Sequence, residues 1–447
     1  MKKKTKIIKI DNKGQKRLRI SLSIGFALLI LLVLRLCILQ FVQGASLKEE
    51  AVQRQLSSKV INPSRGTIYD STGKILAKST SVDTVYINPS EVKYKDKTEV
   101  NKEILAHKFS EIFELDYAET LERLNTKTSS FKIVEKVDHE KIVSLQNWLS
   151  DNKIVSGIRI EDDNKRAYPY NNLASNLIGF TRSDGSGAMG LEYSLDNLLS
   201  GTAGKLLATT DSINGEIPNG EISYVPAQNG NDVTLTLDVN IQLIVEKYLS
   251  QSVIDNKADG GNVIVMNPST GDVLAMATYP DYNLNTPYTI NSNELKEKWD
   301  TLSSSDKDSA LYKMWNNSAV QSTYEPGSTF KITTFAAALE ENLIDMDNDH
   351  FYDSGSVHIG GARIGCWKAG GHGDQTYLQV LQNSCNPGFV KLGQMLGKEK
   401  LFSYLDLFGF GSKTGIDLNG ESKGIIFPME KVGELELVTT AFGQGVS

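Results

Sequence analysis

The stretch Tyr324-Glu-Pro-Gly-Ser-Thr-Phe-Lys-Ile-Thr-Thr-Phe-Ala-Ala-Ala-Leu339 places a serine and a lysine three positions apart at the start of an apolar, alanine-rich run. Pro326-Gly327 interrupts the preceding chain, so the run predicts a buried helix whose first turn begins near Ser328. Side chains three apart on a helix are neighbours, so an unprotonated Lys331 can take the proton of Ser328. The free backbone N–H groups of a first turn can stabilise an oxyanion. The pattern therefore predicts a serine nucleophile with a lysine base.

The context of this pair matters more than the pair itself. Ser-x-x-Lys also occurs at Ser71/Lys74, Ser129/Lys132, Ser150/Lys153 and Ser304/Lys307, where no proline-glycine break and no apolar helix accompany it. A short motif is informative only in the structural setting that its chemistry needs. Only the match at Ser328 has that setting.

Length and charge narrow the classes of protein. The chain has 447 residues, 40% of them hydrophobic, which is enough for two or three packed domains. Nine basic side chains and one acidic side chain lie in residues 1–19, giving a net charge of about +8 there and leaving the remainder near −15. Nucleic-acid binding needs a positive surface, so an acidic body argues against it.

Residues 20–42 form an apolar run of membrane-spanning length. The run is longer than the core of a signal peptide, and Gln43-Gly44-Ala45 is a poor cleavage site, so we predict an uncleaved transmembrane anchor. Its basic flank, residues 1–19, is predicted to stay in the cytoplasm, because cytoplasmic flanks are enriched in Lys and Arg. The remaining chain is then extracytoplasmic, anchored to the cell membrane by a single pass.

Two further regions follow the anchor. Residues 98–155 are charged and mostly helical in pattern and predict an accessory α+β module, and a domain boundary is expected near Asn231. Residues 232–447 begin with a predicted strand at 232–238, a helix, and a hairpin at 261–277 that starts an antiparallel sheet. The fold class is therefore an α+β multidomain protein.

His358, Cys366, His372 and Asp374 fall within seventeen positions, although the chain has only five histidines and three cysteines. Imidazole, thiolate and carboxylate together suit Zn²⁺, so these four predict a metal site. The alternative is that Cys366 packs with Trp367 and that His372 belongs to a glycine-rich turn, and both readings stay open. With three cysteines no disulfide framework is expected, and Cys385 is predicted to be a small packed residue.

The motifs Arg65-Gly-Thr-Ile-Tyr-Asp70, Arg166-Ala-Tyr-Pro169, Gly190-Leu-Glu192, Ser328-x-x-Lys331 and Ser384-Cys-Asn386 resemble those of class B penicillin-binding proteins. These are membrane-anchored D,D-transpeptidases of bacterial peptidoglycan, and the resemblance covers almost the entire chain. It implies an elongated pedestal or dimerisation domain over residues 46–225. It also implies a penicillin-recognising transpeptidase domain over residues 232–447, built from an antiparallel sheet with helices.

The resemblance implies a role for each active-site residue. Ser328 would attack the carbonyl of the penultimate D-alanine of a stem peptide, and an amine of a neighbouring stem would then attack the acyl-enzyme. Lys331 would be the base, Ser384 a proton relay, and Asn386 a group that holds the substrate amide. β-Lactams would acylate Ser328 because they resemble the D-Ala-D-Ala amide. The acyl transfer needs no cofactor.

The third active-site motif of the family, a Lys-Thr/Ser-Gly strand, is expected beyond Ser447, which predicts a C-terminally incomplete transpeptidase domain of uncertain activity. Lys413-Thr414-Gly415 matches the tripeptide, but its glycine-rich surroundings predict a loop instead. Two alternatives to an active transpeptidase therefore remain. One is a non-catalytic scaffold of a cell-wall synthesis complex, and the other is a β-lactam sensor or hydrolase.

The expected partners follow from the resemblance. They are peptidoglycan stem peptides, β-lactams, the membrane, other cell-wall synthesis proteins and a separate glycosyltransferase, because the sequence contains no recognisable polymerising domain. Homodimerisation through the pedestal stays open, and no nucleic-acid partner is expected.

Overall fold

The computed structural model describes residues 12–43, 56–126, 129–209 and 222–447. The α-helices are Asn12–Cys37, Lys102–Phe113, Tyr117–Thr126, His139–Asp151, Ser175–Ile178, Gly190–Ser194, Asp196–Leu199, Val239–Asp255, Asn293–Lys298, Ser304–Trp315, Ser318–Gln321, Lys331–Glu340, Tyr377–Gln382, Asn386–Leu407 and Glu434–Thr440. The strands are Leu56–Ile61, Ile68–Tyr69, Ile75–Ile87, Lys93–Tyr94, Phe131–Val137, Ile154–Ser156, Ile158–Ala167, Gly204–Thr209, Ile222–Val225, Val233–Thr234, Gly261–Met266, Val273–Tyr279, His350–Asp353, Ser356–Ile359, Ala362–Gly365 and Gly373–Thr376. A π-helical turn, Ile38–Val42, and three 3-10 turns, Trp299–Thr301, Gly327–Phe330 and Met429–Lys431, complete the set.

The first helix contains the predicted anchor. Within it and the π-helical turn that follows, Ile20–Gln40 is long and apolar enough to cross a membrane, and none of its side chains is buried against the protein. An apolar surface that no part of the described chain covers is what a bilayer-spanning segment requires. The first eleven residues of the predicted basic tail lie outside the described residues.

The chain divides into two compact units. One comprises the described residues up to Pro63 together with Thr202–Gln228. It contains an antiparallel three-stranded sheet in which Gly204–Thr209 lies between Leu56–Ile61 and Ile222–Val225. The other unit comprises Ser64–Gly201 and Asn229–Ser447.

Within this second unit, one hydrophobic core crosses the boundary predicted near Asn231. Val233–Thr234 pairs in parallel with Ile68–Tyr69, which joins the chain on both sides of that position. Buried residues before it, such as Phe180, share a cluster with buried residues after it, such as Trp315. Their rings pack edge to face, with centroids 5.0 Å apart. The division into compact units therefore does not follow the predicted domain limits.

The α+β class is confirmed. In the N-terminal part of this unit the long strand Ile75–Ile87 pairs antiparallel with both Phe131–Val137 and Ile158–Ala167. Helices Lys102–Phe113 and His139–Asp151 contribute buried residues to a core that includes this sheet. The mixed pattern read from the sequence thus corresponds to a sheet covered by helices.

The predicted hairpin at 261–277 is confirmed as antiparallel strands Gly261–Met266 and Val273–Tyr279. The strand predicted at 232–238 was too long, because only Val233–Thr234 is extended and paired. The helix that follows begins directly after residue 238, as predicted: Asp238 accepts hydrogen bonds from the backbone N–H groups of Asn240 and Ile241 and caps helix Val239–Asp255.

The alanine-rich helix Lys331–Glu340 is buried as predicted. Ala337 and Ala338 are fully buried in a cluster with Phe389 and Leu392 of helix Asn386–Leu407. Small side chains allow two helices to pack closely, and Val438 of helix Glu434–Thr440 belongs to the same cluster. This packing fixes the position of the helix that begins at Lys331.

Candidate active site

Ser328 lies in the 3-10 turn Gly327–Phe330, and the α-helix begins at Lys331. The predicted first turn is therefore present, but it is wound more tightly than an α-helix. Ser328 is exposed, whereas Lys331 is only 1% exposed. The turn thus presents a hydroxyl to solvent and a lysine to the interior. The N–H groups of such a first turn have no partner within the helix and can stabilise an oxyanion.

The amine of Lys331 is held by the second predicted motif. Its Nζ atom lies 2.8 Å from the carbonyl oxygen of Ser384, 3.0 Å from Ser384 Oγ and 2.6 Å from Asn386 Oδ1. It also lies 5.2 Å from the centroid of the Phe389 ring. Three acceptors match the three N–H donors of an ammonium group. The structure therefore brings Lys331, Ser384 and Asn386 into one cluster.

A turn between two helices positions Ser384 and Asn386. Helix Tyr377–Gln382 ends just before Ser384, whose φ of +49° is in the left-handed region. Cys385 is fully buried, and Asn386 begins the next helix with a proline in its first turn. A strained φ at a non-glycine residue occurs mainly where surrounding packing enforces it. Here it directs the Ser384 carbonyl and hydroxyl toward Lys331.

Burial prepares Lys331 to act as a base. It lowers the pKa of Lys331 to about 8, because an ammonium loses solvation inside the protein. About a tenth of the lysine would then be neutral at pH 7, against less than a thousandth for an exposed lysine.

Ser328 Oγ forms no hydrogen bond within the described part of the chain. Proton transfer from Ser328 therefore needs either Ser384 Oγ as a relay or a rotation of the Ser328 side chain.

Lys413-Thr414-Gly415 is confirmed as part of a loop. No helix or strand is present between residues 408 and 428. Glu421 accepts hydrogen bonds from the backbone N–H groups of Thr414 and Gly415, at 2.6 and 3.2 Å. The tripeptide is thus held by its own loop.

The predicted metal site is partly wrong. Cys366 and His372 do meet, but their partners are Asp353 and Cys385, and the candidate ligand atoms of these four residues lie within 4.8 Å of one another. His358 and Asp374 do not belong to this group.

Strand pairing explains the error. Asp374 lies opposite Tyr352, and both are exposed, while the neighbouring Asp353 is buried on the other face of the same strand pair. Side chains alternate between faces along a strand, so only one of two adjacent positions can face the cluster. Asp374 contacts His350 Nδ1 at 2.9 Å instead. His358 is likewise exposed on strand Ser356–Ile359.

The contacts within the four-residue cluster are short. His372 Nδ1 lies 3.0 Å from Asp353 Oδ2 and 3.2 Å from Cys366 Sγ, and Cys385 Sγ lies 3.3 Å from the same Asp353 oxygen. Burial raises the pKa of Cys366 and raises that of Cys385 to about 12. Burial also acts to raise the pKa of Asp353, but hydrogen bonds from Cys366, Gly355 and His372 together lower it. The cluster therefore combines an ionised carboxylate with two thiols that remain protonated unless a cation replaces their protons.

Sequence reasoning missed Asp353 and assigned Cys385 to packing alone. The available signal was the position of Cys385 between Ser384 and Asn386, which ties the cluster to the predicted catalytic turn. Asp353 gave no local signal, because its approach to His372 depends on the pairing of His350–Asp353 with Gly373–Thr376.

Comparison with known proteins agrees with the motifs. Residues 261–447 match the family model of the penicillin binding protein transpeptidase domain, and residues 60–235 match that of the penicillin-binding protein dimerisation domain. The chain is 39% identical over 436 residues to stage V sporulation protein D of Bacillus subtilis (strain 168), covering 97% of this chain and 63% of that protein. It is 27% identical over 430 residues to the peptidoglycan D,D-transpeptidase FtsI of Escherichia coli (strain K12), covering 96% of this chain and 68% of that protein.

Solved structures show the same fold. A peptidoglycan synthetase from Bifidobacterium adolescentis ATCC 15703 aligns with a TM-score of 0.62 at 25% identity, over 88% of this chain and 70% of that one. A penicillin-binding protein, PBP2, from Helicobacter pylori, solved in complex with MreC, aligns with a TM-score of 0.67 at 24% identity, over 87% of this chain and 74% of that one.

Proposed function

The chain belongs to the class B penicillin-binding proteins, whose dimerisation and transpeptidase domains it matches, and we propose that it is a serine-type peptidoglycan D,D-transpeptidase. One observation carries this proposal: the buried amine of Lys331 contacts both Ser384 and Asn386 while Ser328 lies exposed one turn earlier. A lysine with a lowered pKa beside an exposed serine is the arrangement that serine acyl transfer requires.

In the first half-reaction Ser328 Oγ attacks the carbonyl carbon of the penultimate D-alanine. The Oγ–C bond forms, the C–N bond to the terminal D-alanine breaks, and neutral Lys331 receives the serine proton directly or through Ser384. The same proton is passed to the leaving amine, so that the lysine becomes neutral again. First-turn N–H groups stabilise the oxyanion. A β-lactam acylates Ser328 by the same attack, with its ring opening in place of the amide.

In the second half-reaction an amine of another stem peptide attacks the acyl-enzyme. A new C–N bond forms, the C–Oγ bond breaks, and the proton lost by the amine returns through Lys331 to Ser328. Asn386 contacts Lys331 through Oδ1, and its Nδ2 lies 3.4 Å from the carbonyl oxygen of Gly365. This amide is placed to hold a substrate peptide group beside the base.

The test uses the full chain in detergent micelles, a stem pentapeptide as donor and a D-amino acid as acceptor. We expect release of D-alanine and formation of the exchanged peptide, with both reduced at least about a hundredfold in Ser328→Ala. Ser304→Ala removes a serine from another Ser-x-x-Lys match and should retain full activity. A folded parent protein that forms neither product would contradict the proposal and support the scaffold alternative. Steady hydrolysis of penicillin would support the sensor or hydrolase alternative.

The proposed topology is a single membrane pass by Ile20–Gln40 with a cytoplasmic N-terminus, supported by the basic residues that precede this helix. A partner glycosyltransferase and other cell-wall proteins belong to the same proposal, and the structural similarity to a PBP2 solved with MreC supports it. Dimerisation through residues 60–235 is supported by the match to a dimerisation domain. Protease added to intact spheroplasts should remove the part after residue 45, whereas survival of that part would contradict the topology.

We also propose that Asp353, Cys366, His372 and Cys385 bind one Zn²⁺ ion. The donor set is one carboxylate, one imidazole and two thiols, each a ligand type that zinc binds, and four ligands suit its tetrahedral coordination. All candidate ligand atoms already lie within 4.8 Å of one another. Bound zinc would replace the thiol protons and tie strand His350–Asp353 and the 366–372 loop to the turn that carries Ser384 and Asn386.

Metal analysis of the purified chain tests the zinc proposal. We expect about one zinc per parent chain and marked loss of zinc in Cys366→Ser and Cys385→Ser. Cys37→Ser, which removes the cysteine of the first helix, should keep the metal. Asp374→Asn is a second control, because Asp374 lies outside the cluster. A parent protein that remains metal-free after incubation with Zn²⁺ would contradict the proposal, as would zinc that is lost equally from the control variants.

A further inference from the structure

A pocket of about 400 Å³ adjoins the Lys331 cluster. It shares Gly365 with that cluster, because the carbonyl oxygen of Gly365 lies 3.4 Å from Asn386 Nδ2. Asn386 Oδ1 in turn lies 2.6 Å from Lys331 Nζ. Asn386 therefore lies between the wall of the pocket and Lys331, the proposed base. Its volume falls within the range of roughly 300–1,000 Å³ that is typical of small-ligand sites.

The walls of this pocket are positively charged. Among the residues that the structure describes, Arg363 and Lys368 are the charged ones that line it, and the other lining residues are Ser354, Gly355, Gly365, Cys366, Ala369 and Gly370. Both cationic side chains are exposed. Within the described part of the chain neither forms an ion pair or a side-chain hydrogen bond. A guanidinium and an ammonium that share a pocket with no carboxylate create a site for an anion.

Nearby carboxylates do not neutralise these two cations. Asp353 is buried and is hydrogen-bonded to His372 and Cys385. Asp374 contacts His350 on the exposed face of its strand. The small residues that form the rest of the wall leave room for a peptide group, because four of the lining residues are glycine or alanine. The pocket thus fits a peptide carboxylate better than an apolar or cationic group.

We propose that this pocket binds a carboxylate of the acceptor strand during the second half-reaction. The proposal rests on the proposed transpeptidase function and adds a binding site for its second substrate. Arg363 supplies a planar fork for two hydrogen bonds to the carboxylate, and Lys368 adds a point charge. An acceptor held there lies on the side of Asn386 that contacts Gly365, and Asn386 in turn contacts Lys331. Arg363 and Lys368 are then specificity-determining residues that take no part in proton transfer.

The test separates the two half-reactions. It compares the parent with an Arg363→Ala/Lys368→Ala double variant, using penicillin to measure acylation, and a stem pentapeptide donor with isotope-labelled D-alanine or D-alaninamide as the acceptor amine to measure transfer. We expect an unchanged acylation rate. The value of kcat/KM for D-alanine should fall about tenfold, mainly because KM rises. D-Alaninamide lacks the carboxylate, so its kcat/KM should not change. Lys423→Ala removes an exposed cation elsewhere and should leave all three rates unchanged.

Each other outcome contradicts the proposal. Equal loss for both acceptors would show that the cations do not recognise a carboxylate, and slower acylation would assign the pocket to the donor strand. No change with either acceptor would leave the pocket without a role in the reaction. If the folded parent is not acylated at all, the transpeptidase proposal fails, and this one fails with it. If the parent is acylated and transfers its acyl group to both amines, the transpeptidase proposal stands. The double variant then tests the role of the pocket alone.

Discussion

Lys331 loses almost all contact with water, and its surroundings determine what it can do. Transfer of an ammonium from water to a protein interior is unfavourable unless acceptors replace the lost solvation. Ser384 and Asn386 supply three such acceptors, which keeps the charged form accessible. Burial nevertheless lowers the pKa of Lys331 to about 8, so the neutral form is accessible as well. A residue balanced between the two forms can take a proton and return it within one catalytic cycle.

The pH dependence of acylation follows from this balance. Only neutral Lys331 can accept the proton of Ser328, and a base with a pKa of about 8 is mostly protonated below that pH. The rate of acylation by penicillin should therefore rise about tenfold per pH unit at low pH and level off above about pH 8. Rapid-quench mass spectrometry between pH 6 and pH 10 measures it. A rate that is constant across this range, or that falls as the pH rises through 8, would exclude Lys331 as the base.

The 3-10 turn Gly327–Phe330 is the element that carries Ser328, and a loop near the C-terminal end of the described chain supports it. The backbone N–H of Gly327 donates to the carbonyl oxygen of Gly443 at 2.9 Å. Thr334 Oγ1 donates to the carbonyl oxygen of Ala441, and Glu325 accepts from the backbone N–H of Gly445. Residues 441–445 therefore hold both ends of the segment that contains Ser328. Their sequence separation of more than one hundred residues makes this support invisible to local patterns.

Gly443→Ala should displace this turn. Gly443 has φ +78°, and a Cβ there would overlap the carbonyl oxygen of Gly327. We expect a loss of about 1–3 kcal/mol in the free energy of unfolding and acylation slowed at least about tenfold. Gly415→Ala is the matched control, because Gly415 has φ +80° with no atom near its Cβ position. Thermal denaturation and the penicillin acylation rate measure both effects. Equal acylation rates in the two variants would show that the Gly443 contact does not position Ser328.

Local sequence patterns predicted helices and strands well, but they did not predict contacts between residues that lie far apart in the chain. The serine and lysine three positions apart, the apolar helix and the hairpin at 261–277 are local features, and their periodicity was sufficient to predict them. Ser384 and Asn386 lie more than fifty positions from Lys331, so only the family resemblance connected them with it. Asp353 joins His372 through strand register, which a single sequence does not reveal. That is why two of the four predicted metal ligands were wrong.

At the scale of the whole molecule, a continuous core joins the two predicted domains within the larger compact unit, and a buried ion network stabilises the first of them. Glu192 is fully buried and contacts Arg65 Nε and Arg166 Nε, each at 2.6 Å. Tyr168 lies beside the same carboxylate. The shared core runs from Ile68 to Trp315, so these parts are expected to unfold together.

Glu192→Gln should therefore be strongly destabilising. The substitution leaves the buried guanidinium of Arg166 without its counter-charge and leaves Arg65 with Asp196 alone, which costs about 3–5 kcal/mol. Urea denaturation followed by tryptophan fluorescence should show one transition at a lower midpoint, because Trp315 reports on the shared core. Glu294→Gln, which breaks an exposed pair with Lys298, should cost less than about 1 kcal/mol. Two separate transitions in the parent protein would contradict a continuous core.

The central claim is that Ser328 is the nucleophile of an acyl-transfer enzyme. Intact-mass spectrometry of the full chain in detergent, after incubation with a penicillin, tests it most directly. The account predicts one covalent adduct of the mass of the penicillin on the parent chain, located on the peptide that contains Ser328, and no adduct on Ser328→Ala. A folded parent chain without an adduct, or an adduct that persists on Ser328→Ala, would contradict it.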